Sequence, residues 1–66
     1  MDRMRKIVIV SAKLRSYRMD RNMRQKDLAD FLGCRRELVN RWELCKALPS
    51  RRWLGVMKDR GIEICE

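Results

Sequence analysis

Apolar residues recur along most of this chain at spacings of three and four, which is the mark of amphipathic helices. Leu14, Tyr17 and Arg18 share one face of a predicted helix over residues 12–21, with Ser11 as its N-cap and Asn22 as its left-handed stop. Met23 follows as an apolar connector that tucks inward. A second helix, residues 25–32, puts Leu28, Ala29 and Leu32 on one face, with Phe31 at its edge, and Gly33 supplies the positive φ of a tight turn. Cys34 follows as a small plug, and a third helix over residues 36–44 points Val39 and Trp42 inward. Pro49 breaks the chain and Ser50 caps a fourth helix, residues 51–60, with Trp53, Leu54 and Met57 on its buried stripe and Gly61 as its stop.

Two stretches depart from this rhythm. Residues 7–10 (IVIV) are all β-branched, so they are expected to form a short strand after a basic, weakly ordered arm over residues 1–6. Residues 62–64 alternate apolar and polar and can pair with them. The expected architecture is mainly α: one compact domain over residues 1–66 with four helices, and room for a two-stranded β element from the two termini. Nothing repeats internally.

The polar positions carry the information about function. On the third helix Arg36, Glu37, Asn40 and Arg41 point away from Val39 and Trp42. Arg24 and Arg35 stand where the second and third helices want Ser, Thr, Asp or Asn as caps. A cation is unfavourable beside the positive end of a helix dipole, and a polyanion would offset both. The whole chain leans the same way: 17 Lys and Arg against 9 Asp and Glu leave a charge of +8, which calls for nucleic acid or an anionic membrane surface.

Other chemistry is poorly served. The longest apolar run, residues 7–10, is far short of the ~20 residues needed to span a bilayer and too short for a signal peptide, so a cytosolic protein is expected. Three cysteines without a C-x-x-C pair, and no histidine, argue against zinc and against a disulfide framework. No nucleophile is paired with a base and no Gly-rich phosphate loop exists, so no enzyme, cofactor or small-molecule ligand is expected.

The spacing from Gln25 to Leu44 is that of a helix-turn-helix: Ala29 four residues before Gly33, Val39 six residues after it, and Leu28, Leu32 and Trp42 inward. With L-R-x-x-R at residues 14–18, Q-x-D-L-A at 25–29, L-G at 32–33, V-N-R-W-E at 39–43 and K-x-x-P at 46–49, more than half the chain resembles the phage Cro and repressor (XRE-type, lambda-repressor-like) family. The resemblance implies a sequence-specific transcriptional regulator of bacterial or phage origin, a repressor that binds double-stranded operator DNA as a homodimer. It implies that Arg35, Arg36, Glu37, Asn40 and Arg41 occupy the base-reading positions, with Arg35 able to serve either backbone or base, that Gln25 and Lys46 meet phosphates, and that Arg18 and Glu43 form an ion pair between helices. Arg24 and Arg35 stand where the family commonly has Ser or Thr, and Arg24, by its place at the edge of the second helix, is expected to position a phosphate. Arg suits guanine, Asn adenine and Glu cytosine N4. The family favours Gly where Cys45 stands, so Cys45 must either adopt a left-handed conformation or end the helix differently. The competing reading is an antitoxin or adaptor of the same fold whose main partner is a protein. RNA ranks third, because aromatic stacking platforms are missing. Core roles are expected for Leu28, Leu32, Val39, Trp42, Trp53 and Leu54, and a solvated face for Arg51, Arg52, Lys58 and Arg60.

Overall fold

A computed structural model describes residues 3–62, and these form four helices with no strand among them. They are α1 (Arg3–Asp20), α2 (Gln25–Leu32), α3 (Arg36–Glu43) and α4 (Arg51–Asp59). The last three start where the sequence places them, and the ends of α3 and α4 fall one residue short of expectation. Residues 63 and 64, the rest of the expected C-terminal strand, lie outside the described residues, while Ile62 is buried and not in a strand.

The N-terminal expectation is wrong. Residues 7–10 are helical, and from Arg3 onward the presumed arm is the start of the same 18-residue helix. The reason is tertiary. A helix places residues 7, 10, 11 and 14 on one side, and Ile7, Val10, Ser11 and Leu14 are all buried there, while Val8 is exposed. A lone strand would leave its backbone without a ladder partner, whereas the helix satisfies its own N–H and C=O groups. That gain outweighs the few tenths of a kcal/mol per residue by which Val and Ile disfavour helix. No helix in the described residues is long and apolar enough to cross a membrane.

Ser11 therefore caps nothing on its own helix. From the middle of α1 its hydroxyl donates a 2.6 Å hydrogen bond to the Glu43 carbonyl. The last carbonyls of a helix have no partner within it, and Ser11 satisfies one of them at the end of α3 from a different element.

All four helices stop in the same way. Asn22, Gly33, Cys45 and Gly61 take positive φ values of 55°, 81°, 60° and 86°. The N–H after each reaches back to a carbonyl five residues earlier: Met23 to Arg18, Cys34 to Ala29 and Lys46 to Arg41, each at 2.9 Å, as is Ile62 to Met57. This is the paired-bond stop that a left-handed residue makes possible. It normally carries an apolar residue just after that position. Met23, Cys34 and Ile62 fit this, packing on the core, whereas Lys46 is exposed.

The core gathers Val10 and Leu14 of α1, Leu28, Ala29 and Leu32 of α2, Val39 and Trp42 of α3, Met57 of α4, and Ile62. Helix α3 packs against both α1 and α2. Trp53 and Leu54 are half-buried, packing on the outside of this cluster rather than within it as expected, and the Trp53 ring meets the Trp42 ring at 6.0 Å. Cys34 is half-buried, and its loss of hydration pushes the thiol's pKa up. On the other side, Tyr17 stacks on Phe31 at 6.1 Å, with Arg21 over the Tyr17 ring and Arg60 over the Phe31 ring. These contacts tie α2 to α1 and reach the end of α4.

Candidate nucleic-acid interface

The expected ion pair forms, and it is the anchor of the site. Arg18 Nε donates to Glu43 Oε2 at 2.8 Å and Arg18 Nη2 to Glu43 Oε1 at 3.0 Å, a two-pronged fork from α1 to the end of α3. Arg18 Nη1 donates to the Met23 carbonyl at 3.1 Å, so the turn between α1 and α2 is held as well. The Glu43 side chain keeps only 4% of its exposure, against 17% for Arg18.

The network continues outward from this buried end. Gln25, the first residue of α2, donates through Nε2 to Glu43 Oε1 and to Asn40 Oδ1, both at 3.3 Å. Arg36, the first residue of α3, donates through Nη1 to Gln25 Oε1, also at 3.3 Å. Five of the ten residues singled out in the sequence (Arg18, Gln25, Arg36, Asn40 and Glu43) are thus joined by side-chain bonds across three helices.

The remaining five differ. Arg35, Glu37, Arg41 and Lys46 are exposed, and none has a side-chain hydrogen bond or ion pair to the described residues. Along α3, Arg36, Glu37, Asn40 and Arg41 fall on the side opposite buried Val39 and Trp42. Arg35 stands just before this helix and Lys46 just after its left-handed stop. Arg24 is exposed at the cap of α2 in an extended conformation.

The starts of α2 and α3 are less bare of negative charge than Arg24 and Arg35 alone imply. An arginine side chain has no acceptor for a helix N–H. The Asp27 carboxylate nevertheless accepts the Arg24 backbone N–H at 2.9 Å, supplying half of a capping box and a negative charge in the first turn. Glu37 places a carboxylate in the first turn of α3. Both helix dipoles therefore have an acidic residue of their own, and the weight of the electrostatic case moves to the uncommitted cations around α3.

Two participants escaped sequence reasoning. Ser11 is read locally as a cap, but its partner lies 32 residues away. The Gln25–Asn40 bond spans 15 residues and follows no helical spacing, so only the packing of α2 on α3 reveals it. Among the described residues no group of three or more His, Cys, Asp or Glu is placed to hold a metal ion. Comparison of the chain with protein-family models, curated proteins and solved structures finds no match.

Proposed function

We propose that this chain is a sequence-specific, double-stranded DNA-binding transcriptional regulator built on a helix-turn-helix, with α2 and α3 as the motif and α3 as the helix that enters the major groove. One observation carries the reading. Helix α3 is anchored by Val39, Trp42 and the Arg18–Glu43 fork, and it turns Arg36, Glu37, Asn40 and Arg41 away from the core. A short helix with one face in the core and the other rich in donors, flanked by exposed Arg35 and Lys46, has the chemistry that base edges and phosphates require. The +8 charge supplies sequence-independent affinity. The chain acts as a repressor in the cytoplasm, bound as a dimer to a palindromic operator whose half-sites lie about 34 Å apart.

Selection of bound sites from random double-stranded DNA, followed by footprinting, tests this directly. A symmetric consensus is the expected result. Arg36→Ala and Arg41→Ala are each expected to cost about 1–3 kcal/mol and to relax preference at one base position. Equal losses on operator and random DNA would remove the base-reading role from α3.

A second reading, an antitoxin or adaptor that binds another protein, draws on apolar side chains instead. Met4, Val8 and Met19 of α1 and Leu44 after α3 are exposed apolar side chains. A co-encoded protein that co-purifies in fixed ratio, with binding insensitive to salt, would favour it over the DNA reading.

A further inference from the structure

We infer that Gln25 is a positioning residue that fixes the side-chain amide of Asn40, so that Asn40 meets a base as a hydrogen-bond donor and selects guanine or thymine rather than adenine. The inference rests on the reading of α3 as the groove-entering helix. It departs from what the resemblance implies for both residues, a phosphate contact for Gln25 and an adenine contact for Asn40.

The basis is a count of donors and acceptors. A glutamine amide has two hydrogens on nitrogen and one acceptor oxygen. Gln25 Nε2 has two acceptors within the protein, Asn40 Oδ1 and Glu43 Oε1, and Gln25 Oε1 accepts from Arg36 Nη1. Both hydrogens have partners, so none is left for a phosphate oxygen. Glu43 is itself held by the two-pronged bond from Arg18, which makes it a fixed anchor for the Gln25 amide. Rigidity therefore passes from α1 through Glu43 and Gln25 to Asn40.

The consequence for Asn40 is directional. Pairing with adenine requires Oδ1 and Nδ2 to be presented together, the oxygen to N6–H and the nitrogen to N7. Here the Gln25 amide takes one of the two lone pairs of Oδ1 and holds the carbonyl toward α2, out of the two-atom pairing that adenine requires, while no hydrogen-bond partner among the described residues engages Nδ2. That nitrogen donates to guanine O6 or N7, or to thymine O4. Arg36 and Arg41 are donors too, which leaves Glu37 as the one side chain on this face that accepts from a base.

The experiment compares the full chain with Asn40→Ala, Asn40→Asp and Gln25→Ala in selection from random double-stranded DNA. Guanine or thymine is expected at the position facing Asn40, with about tenfold discrimination that Asn40→Ala removes. Asn40→Asp, whose outward atom is an acceptor, is expected to switch that position to cytosine. Gln25→Ala unties the amide, so adenine becomes acceptable there while affinity for random DNA stays within about twofold of the original. Adenine selected by the unaltered chain and lost in Asn40→Ala would overturn the inference. So would a Gln25→Ala chain that loses as much on random DNA as on the selected site, which is the behaviour of a phosphate contact.

A second measurement needs no DNA. The side-chain amide signals of Asn40 in a proton–nitrogen correlation spectrum are expected to move in Gln25→Ala while core backbone signals keep their places. Unmoved Asn40 signals overturn the inference and leave the DNA reading standing. Moved signals in a chain that selects no sequence support the Gln25–Asn40 bond and overturn the DNA reading instead.

Discussion

Arg18→Met is expected to be far more destabilising than Glu43→Gln, although each breaks the same ion pair. The difference follows from what each change leaves behind. Methionine keeps the length of the side chain and removes the fork, so the Glu43 carboxylate remains with 4% of its exposure and only the Gln25 amide as partner. An ionised carboxylate stranded in that position costs about 3–5 kcal/mol. Glutamine at position 43 keeps an oxygen that accepts from Arg18, whose guanidinium retains 17% exposure and its bond to the Met23 carbonyl. Weakening a charge-assisted bond in that setting costs about 1–2 kcal/mol. A chain of 66 residues has about 3–10 kcal/mol of stability in all, so Arg18→Met approaches the limit of folding. Adding Glu43→Gln to Arg18→Met removes the stranded charge and is expected to restore part of the loss, which is a non-additive cycle. Urea unfolding followed by Trp42 and Trp53 fluorescence measures all three, with midpoints compared at constant slope. An Arg18→Met midpoint equal to that of Glu43→Gln, or a double variant less stable than Arg18→Met, would mean that the stranded carboxylate is not the dominant cost.

Three further changes test the fold around the site. Ser11→Ala removes the one donor that reaches the Glu43 carbonyl among the described residues and is expected to cost about 1–3 kcal/mol, read from the same unfolding curves; a loss below a few tenths would mean that water replaces the hydroxyl. Cys45→Gly relieves a left-handed non-glycine residue at φ 60° and should stabilise the chain by about 0.5–1 kcal/mol, so a lowered melting temperature would contradict the strain argument. Arg24→Ser supplies the acceptor that α2 lacks and is expected to raise stability by about 0.5–1 kcal/mol while weakening DNA binding at low salt. An unchanged or lowered denaturation midpoint would show that the Asp27 carboxylate already meets the needs of that helix end.

Much of this architecture is written in local chemistry. The i, i+3 and i+4 spacing of Leu28, Leu32, Val39 and Trp42, and the left-handed residues Asn22, Gly33 and Gly61, set α2, α3 and three of the four stops. They are legible because helix periodicity and turn conformation act within a few residues. The outward polar face of α3 follows from the same periodicity, since fixing the inward side fixes the other. The ion pair between Arg18 and Glu43 follows from family resemblance rather than from local spacing, and the fork gives it a geometry.

The remaining features depend on partners distant in sequence. Residues 7–10 have the β-branched composition of a strand, yet burial of Ile7, Val10 and Leu14 along one helical stripe overrides that preference. Ser11 has the chemistry of a cap, and it satisfies a carbonyl of α3 instead because α1 crosses that helix end. Gln25 is equally able to touch phosphate or protein. The packing of α2 on α3 brings Asn40 and Glu43 within reach of its amide and so assigns its donors. For α2 and α3, local periodicity alone separates the side chains that face the core from those that carry charge outward, because that division is a property of a single helix. The meeting of α1, α2 and α3 determined which polar atoms are already engaged, because hydrogen bonds depend on distances that only the packed helices define.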